Sequence, residues 1–294
     1  MKTSKRLTEV YNSAPVIPYD RDGYYIIMSD CHRGVGNWGD NFMPNQSLFF
    51  AALQYYYKHG YTYIELGDGD ELWENRDMDQ IVRIHSDTFW LMSKFYKEQR
   101  FYMLYGNHDK IKKNPKFRTK YMQEYFCDST RRICSLFPGI EVYEGIRLQD
   151  QESGWEIFMT HGHQGEFIND RIWFVGRFLV RYVWRTLELL GMKDPTGEYE
   201  SNRQKNRTEL AVNRWADANE KITITGHTHR AIFPIPGESL HFNDGCCVHP
   251  RCIMGLEINQ GQIQLVKWSV LIREDGVMYV GKTVLEGPVS LGEY

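Results

Sequence analysis

The chain has 294 residues, with 42% apolar, 25% charged and 14% aromatic content, which is enough to bury a sizeable core. Its formal net charge of −3 excludes a global field that would gather nucleic acid, so an anionic ligand must be drawn in by a local patch. The basic N-terminus (MKTSKRLTEVYNSAPV) has no apolar run behind it and is not read as a secretory signal.

Residues 1–20 read as an extended arm ending in Pro15, Pro18 and Asp20. Tyr24–Ser29 reads as a short buried strand that delivers Asp30 at its end. Residues 46–59 have helical periodicity and stop at Gly60. A second strand, Tyr61–Leu66, runs into GDGDE; one helical stretch over about 77–99 follows, and a third strand, Phe101–Tyr105, runs into GNHD. Residues 140–149 and 155–160 form an expected hairpin around Gln151–Gly154, whose second strand leads into THGH. Residues 166–219 read as helical with a break at Gly191–Gly197, a strand at Lys221–Thr225 leads into GHTH, and short β segments continue to about residue 284. The alternation of strand, polar loop and helix predicts an α/β fold. The expected architecture is a two-sheet β-sandwich flanked by helices. It forms one domain over 1–294, with a helical cap insertion at about 166–219 between the fourth and fifth polar motifs.

Six cysteines, at 31, 127, 134, 246, 247 and 252, show no CxxC pair and read as reduced thiols of a cytoplasmic protein. The neighbours Cys246 and Cys247 are read as core residues rather than ligands.

Five segments concentrate Asp, Asn and His at strand ends: SDCHRG, LGDGDE, YGNHDK, THGHQ and TGHTHR. Carboxylate, amide oxygen and imidazole without thiolate suit hard or borderline divalent ions. The candidate metal ligands are Asp30, His32, Asp68, Asn107, His161, His227 and His229. Two such ions about 3.5–4 Å apart clamp a phosphoryl oxygen, activate water and stabilise in-line displacement. Asp68 is chosen over Asp70 because the apolar strand ends at Leu66; Asp70 and Glu71 are read as outer or solvated turn residues. His163 is a candidate substrate contact by position, whereas His241 and His249 lie outside any motif and read as structural or surface residues.

The ordered motifs DxH, GD, GNHD, GH and GHxH resemble those of the calcineurin-like metallophosphoesterases, and they spread over residues 30–229. The resemblance implies that Asp30, His32 and His229 hold one metal, that Asn107, His161 and His227 hold the other, and that Asp68 bridges them. It also implies that His108 faces substrate as the phosphate-stabilising or acid group, with Asp109 fixing its ring. The implied cofactors are two divalent transition-metal ions, Mn²⁺ first, with Fe, Zn²⁺ or Ni²⁺ as alternatives. The implied reaction is hydrolysis of a phosphate ester or pyrophosphate by a metal-bound hydroxide.

Residues 167–190 would form a helix about 36 Å long. Arg171, Arg177, Arg181 and Arg185 would each cost about 2.5–3.5 kcal/mol at a bilayer centre, which excludes a membrane span. They share roughly a 120° arc opposite an aliphatic face, so the helix reads as basic and amphipathic. It either packs on the core or meets a membrane surface or lipid phosphate. Arg177 and Arg181 are the substrate candidates, and peripheral contact with the inner face of the membrane through 167–190 is expected.

An insertion at this place is similar to that of the UDP-2,3-diacylglucosamine hydrolases, which cleave a nucleotide-sugar-lipid pyrophosphate at the membrane surface. The likeness is partial. That family carries Arg where this chain has His108, and HGD where it has HGH. The expected partner is therefore a phosphate-containing small molecule or lipid-like substrate. A nucleotide or nucleic-acid phosphodiesterase is the alternative, with Trp38, Trp73 and Tyr105 as stacking candidates but no strong nucleic-acid signal. A non-catalytic metal-binding scaffold is the third reading, disfavoured because the ligand set is complete.

Overall fold

The computed structural model of the protein describes residues 2–37, 40–127, 130–166, 169–170 and 197–294. In chain order it opens with α1 (Lys2–Ser13), β1 (Val16–Pro18), β2 (Tyr24–Met28), α2 (Gln46–Lys58) and β3 (Thr62–Glu65). Then come α3 (Met78–Ile84), α4 (Ser86–Lys97), β4 (Phe101–Leu104), α5 (Pro115–Tyr121), β5 (Glu124–Cys127) and β6 (Arg132–Ser135). They are followed by β7 (Val142–Tyr143), β8 (Gly145–Gln149), β9 (Glu156–Thr160), α6 (Gly197–Asn219), β10 (Ile222–Thr225) and β11 (His241–Asn243). A meander of β12 (Cys252–Asn259), β13 (Gln262–Ile272) and β14 (Met278–Ser290) completes the order.

Two main sheets carry the fold. One has five strands in the order β1-β8-β9-β10-β11, and the other has seven in the order β14-β13-β12-β2-β3-β4-β7. β2, β3 and β4 are mutually parallel, as are β9 and β10, so their carboxyl ends lie at one edge of each sheet.

These strands are apolar on both faces because each face is covered. From β2, Ile27 enters the core between the sheets, with Ile64, Leu104, Ile157 and Ile224. Its neighbours Ile26 and Met28 point the other way, into a cluster with α2 and α4 residues such as Phe49, Leu53, Phe89 and Phe95. On the outer face of the smaller sheet, Phe158 meets Leu7 and Val10 of α1 and Val212 and Trp215 of α6. The layers are therefore helix, sheet, sheet, helix, as expected for the sandwich.

Several elements differ from the sequence reading: α5 and the β5–β6 hairpin were not expected, and the closing segments are long strands that reach Ser290. Of the N-terminal arm, Lys2–Ser13 is a helix and only Val16–Pro18 is extended. Leu7, Val10 and Ala14 recur at helical spacing and are buried against Phe158 and Trp215, and Trp215 Nε1 donates to Thr8 Oγ1 at 2.9 Å. The stretch over 77–99 is two helices parted at His85, whose ψ of 31° leaves the helical basin while its Nε2 lies 3.1 Å from Asp40 Oδ2. Of the expected insertion, only 166, 169–170 and 197–219 fall among the described residues. The expectations for Trp38 and for the 167–190 helix, with Arg171, Arg177, Arg181 and Arg185, lie outside them.

Candidate metal centre

Each motif follows a strand directly: Asp30 follows β2, Asp68 β3, Asn107 β4, His161 β9 and His227 β10. The loops are bent tightly. Asp30, His32, Asp68, His227 and His229 all hold positive φ, from 48° to 67°. Glycines make the room. A Cβ on Gly67 would lie 2.7 Å from His161 Nδ1, and one on Gly226 would lie 2.7 Å from Asp30 Oδ2.

The folding brings six of the seven expected ligands, all but Asn107, into two adjoining groups. Asp30, His32 and His229 offer ligand atoms within 4.8 Å of one another, and so do Asp68, His161 and His227. In the first group, His229 Nε2 lies 3.0 Å from Asp30 Oδ1, and His32 Nε2 lies 3.3 Å from His229 Nε2. His32 Nδ1–H donates to Glu71 Oε2 at 2.9 Å, so Nε2 is the ring atom aimed into the group. Burial would lower that ring's pKa, but Asp30, Glu71 and Asp68 hold it well above the usual value until a cation replaces the proton on Nε2. In the second group, His161 Nδ1–H donates to the Leu66 carbonyl at 3.0 Å, which turns the Nε2 lone pair toward Asp68 Oδ2, also at 3.0 Å. Lone pairs facing lone pairs repel unless a proton or a cation stands between them.

The electrostatics give the same requirement. Burial alone would raise the Asp30 and Asp68 carboxyls, but the surrounding imidazoles hold both well below the usual carboxylate range. Burial disfavours a charged His161, yet Asp68 and Asp30 push it up to about 9. The pocket demands positive charge, and divalent cations would supply it with release of those protons. Asp30 Oδ1 and Asn107 Oδ1 are buried and accept no hydrogen bond, the condition of oxygens free to ligate. The residues present therefore fit divalent cations.

Asp70 is turned away from both groups. Its carboxylate takes Arg33 Nε at 2.7 Å and Lys112 Nζ at 2.6 Å, all with no side-chain exposure. The expectation that Asp109 fixes the His108 ring is corrected by the geometry. Asp109 instead accepts the N–H groups of Gly69 and Gly106, at 3.2 and 2.7 Å, and Lys112 Nζ at 2.6 Å, so it ties two of the motif loops together. Glu71 holds the ring: His108 Nδ1 lies 2.7 Å from its Oε2 and 2.9 Å from its Oε1. Trp73 stacks on the other side at 4.4 Å between centroids and 20° between planes, and donates Nε1–H to the Asn107 carbonyl at 2.6 Å. Burial would lower His108, but Glu71 and Asp68 outweigh it and raise its pKa.

Glu71, read from the sequence as an outer or solvated turn residue, is the outer residue that holds His32 and His108. Glu166 was missed. It faces His227 Nε2 at 3.3 Å; burial alone would raise its carboxyl, but contacts to His227, Thr208 and Asn169 bring it down to about 2.

His163 is fully buried with neither ring nitrogen hydrogen-bonded, and burial with the cationic neighbours holds its pKa well below the usual value. It shares a group with Glu144 and Asp170, whose charges are met by Arg6 and by Lys110, the latter 2.8 Å from Asp170 Oδ1. Trp73 and Tyr105 are each 5% exposed, which makes them walls rather than open stacking platforms.

A sandwich with Asp, Asn and His loops at the carboxyl ends of its strands, converging on cation-demanding groups, defines the metal-dependent phosphoesterase class. Residues 24–231 match the profile of the family described as calcineurin-like phosphoesterase, and the chain belongs to that family. No curated protein sequence matches the chain significantly. A solved structure of Vps29 from Chaetomium thermophilum is similar at 10% identity and a TM-score of 0.41, covering 91% of this chain and 97% of that one. That likeness is too slight to bear on function.

Proposed function

We propose that the protein hydrolyses a phosphate ester or pyrophosphate with two divalent cations. Asp30, His32 and His229 would hold one and Asn107, His161 and His227 the other, with Asp68 between them. The observation that carries this reading is the pair of adjoining Asp–His groups, together with the buried Asp30 Oδ1 and Asn107 Oδ1, which accept no hydrogen bond. Cations there would polarise the phosphoryl oxygens and make water a nucleophile near neutral pH. Oxygen and imidazole donors suit Mn²⁺, Fe, Zn²⁺ or Ni²⁺, and Mn²⁺ is the ion we put first.

The chain's own residues do the rest. Glu71 fixes His108 through Nδ1, so Nε2 is the atom that donates a proton to the leaving oxygen. Trp73 covers one ring face and keeps water from it. An amphipathic substrate is favoured by the basic apolar sequence of 167–190, whose Arg177 and Arg181 would meet its phosphates at the inner membrane face. Among the described residues, no helix is long and apolar enough to cross a membrane. The nucleotide or nucleic-acid alternative has less support, since Trp73 and Tyr105 are buried.

The test is metal analysis of protein purified without chelator, joined to a panel of p-nitrophenyl phosphate, cyclic nucleotides, nucleic acid and UDP-sugar lipids. About two transition-metal ions per chain with hydrolysis of at least one ester is the expected outcome. Protein that neither holds nor regains metal, and cleaves nothing, refutes the proposal.

A further inference from the structure

Resting on that reading, we infer that Glu166 is a positioning residue that sets the affinity of the cation taken by His227, and that it does so on an anchor supplied by α6. The Glu166 side chain is 9% exposed and its Oε2 lies 3.3 Å from His227 Nε2. A carboxylate can only accept, so Glu166 favours the His227 tautomer protonated on Nε2, which leaves the Nδ1 lone pair for the cation. Fixing that tautomer and raising ring basicity is what an outer carboxylate does for a ligating histidine.

Glu166 is itself held. Thr208 Oγ1, on α6, donates to Glu166 Oε1 at 2.5 Å, and Asn169 Nδ2 donates to Oε2. The same helix grips the other side of the His227–His229 turn. Arg230, next to His229, donates Nε–H to Glu209 Oε1 at 3.1 Å. Farther along, Asn213 pairs with His241, and Asp217 Oδ1 accepts the Leu240 N–H at 2.9 Å. Residues 209, 213 and 217 recur every four positions, so one stripe of α6 lies along the β10–β11 connection. Thr208 and Val212 lie on the neighbouring stripe, toward Glu166 and α1. The helix that closes the insertion is therefore joined to a ligand through the Thr208-to-Glu166 hydrogen bond and the 3.3 Å contact between Glu166 and His227.

The experiment titrates chelator-stripped protein with Mn²⁺ alone and follows the free ion by electron paramagnetic resonance. Glu166→Gln should weaken one of the two binding steps by about 10–100-fold and leave the other unchanged. Thr208→Val should weaken the same step less, Thr208→Ser should restore it, and Glu166→Gln with Thr208→Val should match Glu166→Gln alone. Urea midpoints confirm that each variant is folded, and Thr208→Val stands in if Glu166→Gln is not. Two unaltered steps in a folded Glu166→Gln protein, or equal weakening of both, overturn the inference while leaving the dinuclear reading intact. Wild-type protein that binds no Mn²⁺ overturns both.

Discussion

Glu71→Gln separates the charge of the buried carboxylate from its shape. Glu71 accepts from His32 Nδ1 at 2.9 Å and from His108 Nδ1 at 2.7 Å, and its Oε1 also takes the Trp73 N–H at 3.2 Å. Glutamine offers one oxygen to two imidazole N–H groups and turns its NH₂ toward one of them, so one ring must flip its tautomer or lose its bond. At an effective dielectric of about 20, a carboxylate this close to an imidazolium contributes a gross Coulomb energy of about 6 kcal/mol. A neutral hydrogen bond contributes about 1 kcal/mol net, so the lost charge dominates. An oriented general acid is worth about 10²–10⁴ in rate. For an alkyl phosphate at saturating Mn²⁺, kcat should therefore fall about 10²-fold, or ~2.7 kcal/mol in barrier. p-Nitrophenyl phosphate, whose leaving group needs little protonation, should lose less than about tenfold. In a His108→Ala background the same change should add little to the kcat loss. Equal losses on both esters, or full additivity with His108→Ala, would refute the proposed link between Glu71 and His108.

Three further outcomes are expected. Gly106→Ala puts a Cβ 2.6 Å from Asp68 Cγ and from its backbone N, so Asp68 must shift; Mn²⁺ titration should show weakened binding, and retained affinity would count against the cradle. Arg33 is fully buried, with Glu65 Oε1 and Asp70 Oδ1 each 2.7 Å away, so Arg33→Met leaves the buried Glu65 carboxylate without its cation, while Asp70 keeps only Lys112. Urea unfolding should record a loss of about 3–5 kcal/mol, and a loss under ~1 would refute that account. His241, held down to about 3 by burial, stays neutral in the folded chain while the unfolded chain takes a proton below pH about 6.5. Its contribution is complete above that pH and is lost as pH falls toward 3. The stability difference between wild type and His241→Gln should thus change by about 1.4 kcal/mol per unit between pH 6.5 and 5, whereas a constant difference contradicts it.

What the sequence revealed divides by the range of the interaction. The strands before each motif were legible because Tyr24–Met28, Thr62–Glu65 and Ile222–Thr225 need only local apolarity and a polar stop. The choice of Asp68 over Asp70 followed from the end of that strand, and Asp70 indeed turns to Arg33 and Lys112. α1 was not legible, because most of its residues are polar and its stability comes from Phe158 and Trp215, 140 or more positions away. The break at His85 has no glycine or proline to announce it; it depends on Asp40, far back in the chain. The family resemblance gave Asp109 to His108, yet successive residues seldom face one another, and two glycine N–H groups with Lys112 are the donors its carboxylate meets.

The backbone dihedrals single out the same residues. Non-glycine residues with positive φ are uncommon, and a left-handed conformation costs roughly 1–2 kcal/mol for an L-residue, less for Asp, Asn and His than for most. Five of the seven expected ligands, Asp30, His32, Asp68, His227 and His229, adopt it. Together they hold on the order of 5 kcal/mol of strain, comparable with the whole stability of many domains. Glycine would remove that strain at every one of these positions, and glycines already occupy the neighbouring positions 67, 69, 106, 162 and 226. The loops were therefore able to use glycine and did not. What glycine lacks is the side chain, so the carboxylates and imidazoles are what the strain retains.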